Sequence, residues 1–115
     1  MQKVSVHNGR HYNWGINCDG WHLAGSPALS VIQERVPFGS SEARHFHELA
    51  EQFFYVLAGT ATLEVEDSIH TLEVGEGLHV LPGIRHSLRN EREQDLHFLV
   101  ISTPPSHGDR VAAAS

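Results

Sequence analysis

The chain has 115 residues, of which 40% are hydrophobic and 19% charged. This length fits one ordinary domain and excludes a second, and the composition is that of a packed globular protein rather than a disordered one. Eight basic against fourteen acidic residues give a formal net charge of −6, which repels phosphate backbones and argues against nucleic-acid binding.

Membrane insertion and secretion are also unfavoured by the sequence. No apolar run approaches the ~18 residues that a membrane span needs, and the first residues lack the apolar stretch of a secretory signal. The single Cys18 excludes an internal disulfide. We therefore expect a cytoplasmic protein whose partners are small molecules, with no nucleic acid and no membrane among them.

Three segments follow one another along the chain. Residues 1–28 contain a Gly-rich aromatic stretch around Trp14 and Trp21, whose role the sequence leaves open, and we expect an arm or edge strands packed on a barrel. We expect residues 29–103 to form that β-barrel. Residues 104–115 hold two prolines and then small residues, and they predict a frayed tail.

The middle segment alternates short apolar runs with Gly and Pro turns. Runs of this kind, spaced regularly, predict an all-β sandwich or barrel. Residues 60–74 predict a hairpin, because Ala61, Leu63 and Val65 alternate with polar neighbours and Asp67-Ser68 suits a turn. The runs span residues 29–36, 53–58, 60–66, 69–74, 78–81 and 95–102.

Residues 41–57 allow a second interpretation. Their apolar side chains recur at helical spacing after a potential N-cap at Ser40 or Ser41, so the local pattern alone favours a helix. On a strand, His45 and His47 point the same way, whereas on a helix they lie about 200° apart. Only the strand lets them share a metal ion.

Two histidine motifs resemble those of the cupin superfamily. The phrases QFFYVLAG and LPGIRHSLRN are typical of that superfamily, and the intervals between motif positions are kept. The resemblance implies an all-β, single-domain, RmlC-like cupin with a jelly-roll β-barrel, and a metal site made by His45, His47, Gln52 and His86. The motif positions are Gly39, His45, His47, Gln52 and Gly59, then Gly75, Pro82, Gly83, His86 and Asn90.

Gln52 stands where the family usually has a glutamate ligand. Glu51, one residue earlier, would face away on a strand. Three neutral imidazoles and an amide leave a divalent ion its full +2 charge, so the centre should acidify bound water and attract anions. Imidazole suits several metals, and one divalent ion, Zn, Fe, Mn, Ni or Cu, is expected without a choice among them.

Two further residues are candidates for the pocket. His97, between Leu96 and Phe98, is a candidate acid or base that lines the cavity. Arg35 is a candidate because every second residue of its strand must face the interior. His70 and His79 are expected to pack or hydrogen-bond without binding metal. The run Phe53–Ala58 is apolar on both faces, which is explained by a homodimer or by cover from the N-terminal arm, and the dimer is preferred.

These residues favour a metal-dependent enzyme that uses the ion as a Lewis acid on a small anionic metabolite, in isomerase or lyase chemistry. A metal-dependent dioxygenase and a non-enzymatic binding or sensing protein are the alternatives. The sequence has no nucleophile elbow, phosphate-binding loop or paired-Cys zinc motif.

Overall fold

The computed structural model describes residues 1–114 and shows eleven strands and no helix in that range. Two antiparallel sheets face each other, which confirms the predicted all-β class. In sheet order, the six-stranded sheet contains β1 (Arg10–Trp14), β2 (Cys18–Ser26), β3 (Leu29–Val36), β10 (Leu96–Thr103), β5 (Glu51–Ala58) and β8 (Gly77–Val80). The five-stranded sheet contains β11 (Arg110–Ala112), β4 (His45–His47), β9 (His86–Arg89), β6 (Ala61–Val65) and β7 (Ser68–Leu72).

Strand alternation divides the space between the sheets into a core and a cavity. On β10, Leu96 and Phe98 are buried in the core, whereas Val100 and Ser102, further along the same face, line the cavity. On β5, Val56 packs in the core and Gln52 lines the cavity. The strands therefore turn from apolar to polar on their inner faces as they approach the site.

The ambiguous stretch at 41–57 forms two strands, which excludes the helix. Apart from Ala43, which precedes β4, its apolar residues fall on β4, on β5 and on the turn between them, so the helical spacing arises from two short strands in succession. The hairpin at 60–74 is also present as β6 and β7. Its turn lies at Glu66-Asp67, one residue earlier than expected, because Val65 pairs with Ser68.

The two ends of the chain both add strands. The N-terminal strands β1 and β2 form one edge of the six-stranded sheet, with β2 paired to β3. Near the other end, Arg110–Ala112 pairs with β4, which differs from the expected frayed tail. Ser115 lies outside the described residues. Residues 1–114 contain no helix that is long and apolar enough to cross a bilayer.

Candidate metal centre

Three histidines meet at the inner surface of the five-stranded sheet. His45 and His47 both point inward from β4, while Phe46 between them faces outward under the Arg85 guanidinium, 5.3 Å from its ring centroid. His86 starts β9 directly opposite His45 in the antiparallel register. One ring nitrogen of each histidine lies within 4.8 Å of the others, so the three could hold a single metal ion.

The hydrogen bonds of these histidines leave nitrogens free for a ligand. Nδ1 of His45 donates to the Ala43 carbonyl at 2.8 Å, and Nδ1 of His86 donates to the Ile84 carbonyl at 3.0 Å. Those bonds leave each Nε2 unprotonated. Among the described residues, His86 Nε2 and His47 Nδ1 are buried without a hydrogen-bond partner. Buried polar atoms rarely remain unpaired, so these residues fit a bound cation.

Burial keeps the three imidazoles neutral. Desolvation lowers the pKa of His45 to about 3, and it also lowers the pKa values of His47 and His86 below their usual range. The neighbouring imidazoles act in the same direction in His45 and His86. A metal binds the deprotonated ring, so no proton has to be removed from these side chains near neutral pH.

Gln52 reaches the same cavity from the opposite sheet. Its Nε2 donates to the Ser102 hydroxyl at 3.0 Å, and its Oε1 is buried and has no hydrogen-bond partner among the described residues. Glu51 lies on the other face of β5, where its carboxylate accepts a hydrogen bond from His79 Nε2 at 2.8 Å. The amide is therefore the side chain that faces the site at this point of the strand.

The cavity has a volume of about 860 Å³ and is lined by His45, His47 and Gln52 together with ionisable residues that sequence reasoning did not single out for the site. Several of the latter come from the two ends of the chain. They include Arg10, Tyr12, Glu34, Glu42 and Arg110.

Tyr12 and Glu34 form a hydrogen-bonded pair across an intervening strand. Tyr12 on β1 is paired with Gly20 on β2, which is paired with Glu34 on β3. A Cβ atom at Gly20 would lie 2.1 Å from the Tyr12 ring, so only glycine leaves room for the tyrosine to cross β2. The Tyr12 hydroxyl donates to Glu34 Oε2 at 2.7 Å.

Burial favours the protonated forms of two cavity carboxyl groups, those of Glu34 and Glu42. It raises the pKa of Glu34 to about 7, against the opposing effect of the Tyr12 hydrogen bond. It raises the pKa of Glu42 to about 8, and the charge of Glu34 acts in the same direction. Glu42 is fixed by the Leu88 backbone N–H, which donates to its Oε1 at 3.1 Å. Near pH 7, Glu42 is therefore mostly neutral and Glu34 is about half ionised, and both share the cavity with two arginines.

His97 and Arg35 lie on the outer face of the six-stranded sheet, which differs from the prediction that they line the cavity. His97 alternates with the inward-facing Leu96 and Phe98, and its ring stacks on Trp21 with centroids 6.4 Å apart. Arg35 donates from Nε to Asp19 at 2.7 Å and from Nη1 to Asp95 at 3.1 Å. Neither residue is among those that line the cavity.

The sequence does not show which alternate residues of β3 face the cavity, and for this reason it did not point to Glu34. Gln33, Glu34 and Arg35 are consecutive polar residues, so alternation in the sequence could not show which of them points inward. No sequence pattern marked Tyr12 as a site residue either, because it lies two strands away from Glu34 and reaches it only across Gly20 on the strand between them. Of the aromatic N-terminal stretch, Trp14 lines the cavity and Trp21 lies outside it.

Comparison with known proteins finds similar curated proteins and many similar solved structures. The chain is 36% identical over 52 residues to Protein SchB of Streptomyces halstedii, which covers 45% of this chain and 38% of that one. It is similar to an RmlC-like cupin from Shewanella frigidimarina, with 17% identity, coverage of 94% and 95%, and a TM-score of 0.84. It is also similar to the polyketide cyclase RemF from Streptomyces resistomycificus, with 21% identity, coverage of 100% and 87%, and a TM-score of 0.83.

The family match spans every side chain of the candidate centre. The cupin-domain model matches residues 32–102, which include both histidine-bearing strands and Gln52. The barrel is the one found in solved cupin structures. On the sequence match and the fold together, this chain belongs to the cupin family.

Proposed function

We propose that this cupin is a metal-dependent enzyme acting on a small anionic metabolite by isomerase- or lyase-type chemistry. The observation that carries the proposal is the convergence of three buried histidines with free ring nitrogens, of which His45 and His47 line a large cavity and His86 lies directly beside them. Gln52, whose Oε1 is unpaired in the same cavity, completes the proposed ligand set. A divalent ion bound there would supply Lewis acidity toward a carbonyl or enolate oxygen.

The charge of the cavity supports an anionic substrate. Arg10 and Arg110 both line it, and their guanidinium groups are cations with a fixed fork of hydrogen-bond donors. The carboxyls of Glu34 and Glu42 would oppose an anion only when ionised, and their raised pKa values keep much of that charge off near pH 7. We infer that the arginines attract the substrate carboxylate or an equivalent anionic group.

Glu34 is the residue that we place in proton transfer. Its carboxyl lines the cavity, Tyr12 fixes its orientation through Oε2, and its pKa of about 7 suits both taking and returning a proton near neutral pH. Isomerisation and lyase reactions next to a carbonyl require such a group. Oε1, which Tyr12 does not occupy, is the atom that would carry the proton.

Metal content tests the proposal first. Protein purified without chelators should contain close to one divalent ion per chain, and the metal-free protein should gain thermal stability on addition of Zn, Mn, Ni, Fe or Cu. His86→Ala should abolish the gain, whereas His70→Ala on β7, away from the site, should keep it. Negligible metal in the native protein together with no stabilisation by any of these ions would refute the proposal.

Turnover tests the chemistry. The metal-loaded protein is screened for binding and conversion of small carboxylates and sugar acids, with oxygen uptake followed in parallel. Conversion without oxygen consumption supports the proposed class of reaction. Substrate-dependent oxygen uptake would assign a dioxygenase instead, and binding without conversion would assign a sensing or storage protein.

A further inference from the structure

The strand that carries two of the histidines has little support from its own sheet. Strand β4 has three residues, and on one side it meets β9 only through the pair His45 and His86. On its other side, β11 pairs along its whole length, with Arg110 opposite His47 and Ala112 opposite His45. The C-terminal segment is therefore the main neighbour of the strand that presents His45 and His47.

Asp109, immediately before β11, binds the turn that follows β4. Its Oδ1 accepts a hydrogen bond from the Glu48 N–H at 3.2 Å, and its Oδ2 accepts from the N–H groups of Leu49 at 3.0 Å and Ala50 at 2.9 Å. Residues 48–50 join His47 at the end of β4 to β5, where Gln52 is the second residue. One carboxylate thus fixes the backbone between two proposed metal ligands on opposite sheets.

Other bonds attach the same segment to the start of β4. Arg110 Nη2 donates to the Ala43 carbonyl at 3.1 Å, and the Ala113 N–H donates to the Arg44 carbonyl at 3.0 Å. Arg110 also lines the cavity. The segment from Asp109 to Ala113 therefore brackets the histidine strand at both of its ends.

We propose that Asp109 is a positioning residue for the metal centre, which fastens the C-terminal segment to the 48–50 turn and so sets the spacing of His47 and Gln52. This inference rests on the proposed function, since it requires a metal at that site. Coupling of this kind is reciprocal: docking of the segment strengthens metal binding, and bound metal strengthens docking by the same factor.

The test compares Asp109→Asn with Asp67→Asn. Both variants remove one negative charge, but Asp67 is exposed in the β6–β7 turn on the opposite edge of the sheet. Metal affinity is measured by titrating each protein with Zn²⁺ against a chromophoric competitor, and the Co²⁺ absorption spectrum reports the coordination geometry. We expect D109N to weaken Zn²⁺ binding by roughly 10- to 100-fold and to alter the Co²⁺ spectrum, while D67N matches the wild type.

A second measurement needs no variant, so it stands even if D109N fails to fold. Amide hydrogen exchange of the wild-type protein is compared with and without Zn²⁺, and the amides of residues 48–50 and 110–113 should exchange more slowly with the metal. If folded D109N binds Zn²⁺ as tightly as the wild type, or if exchange in these segments does not change while Zn²⁺ binds, the proposed role of Asp109 is wrong and the proposed function still stands. A wild-type protein that binds no metal would overturn both this inference and the proposed function.

Discussion

The buried ionisable side chains around the cavity respond to pH in opposite directions. The three histidines have pKa values lowered by burial, so their neutral forms stabilise the folded state fully above the unfolded pKa of about 6.5. That contribution is lost as the pH falls toward 3, the pKa of folded His45. Glu34 and Glu42 have raised pKa values, so their contribution is complete below the unfolded pKa of 4.5 and is lost as the pH rises through about 7 and 8.

The metal-free protein should therefore be most stable near pH 6 to 7. Replacing both carboxyls in a Glu34→Gln/Glu42→Gln double variant removes the alkaline loss and keeps an acceptor for Tyr12 and for the Leu88 N–H. The free energy of unfolding is measured by urea denaturation of metal-free samples at pH 6 and at pH 9. Between these two pH values, the double variant should lose at least about 1 kcal/mol less of it than the wild type does. An equal alkaline loss in both proteins would contradict the assignment of the raised pKa values to these two residues.

At the level of single elements, the turn from β5 into β6 depends on Gly59. Its φ is +78°, and a Cβ atom there would lie 2.6 Å from the Asp95 backbone carbonyl oxygen. The turn brings β5 out of one sheet and β6 into the other. Backbone strain and a collision with a neighbouring backbone therefore both act at this position.

Gly39 provides the matched control, since its φ is +84° and a Cβ atom added there would meet open space, with no other part of the structure within 4 Å. Gly39→Ala should cost about 1 kcal/mol from backbone strain alone, whereas Gly59→Ala should cost at least about 2 kcal/mol because the collision adds to the strain. Denaturant unfolding at a fixed pH gives both values. Equal losses would show that the Asp95 carbonyl moves aside at no cost.

The elements differ in how far their sequences predict them. Strands such as Ala61–Val65 were predictable because their apolar and polar residues alternate in the sequence, even though Thr62 between Ala61 and Leu63 is buried as well. The pair His45 and His47 could be placed on one face only through its motif spacing, since local periodicity favoured a helix. Strand β11 has no alternating pattern, and it forms because β4 leaves an open edge, which is a tertiary effect. The convergence of the three histidines was thus predictable, but the rest of the cavity wall was not.

At the scale of the whole molecule, the outer face of the six-stranded sheet carries an apolar patch on its strands β5 and β10. Phe53, Tyr55 and Leu57 are 38%, 36% and 39% exposed on β5. On the adjacent β10, Ile101 pairs with Phe53 and Leu99 pairs with Tyr55. The apolar surface is therefore continuous across two central strands, and we predict that a second copy of the chain packs against it.

Light scattering after gel filtration tests this dimer. The wild type should show twice the 12.8 kDa mass of one chain, and Tyr55→Glu should reduce it to a monomer, because a buried carboxylate would lie in the interface. Ile69→Glu is the control, since Ile69 is 62% exposed but lies in the five-stranded sheet. A wild-type monomer at all concentrations, or a dimer that survives Y55E, would exclude this surface as the interface.

The cavity residues come from three separate stretches of the chain. All four proposed metal ligands fall within residues 32–102, whereas Arg10, Tyr12 and Arg110 fall outside them. The proposed cation site thus belongs to one stretch of polypeptide, while much of the chamber beside it is built from two others. Substitutions at Arg10 or Tyr12 can therefore alter which molecule is admitted without touching the strands that carry the proposed ligands, whereas changes around Arg110 would act on both, because that stretch pairs with His45–His47.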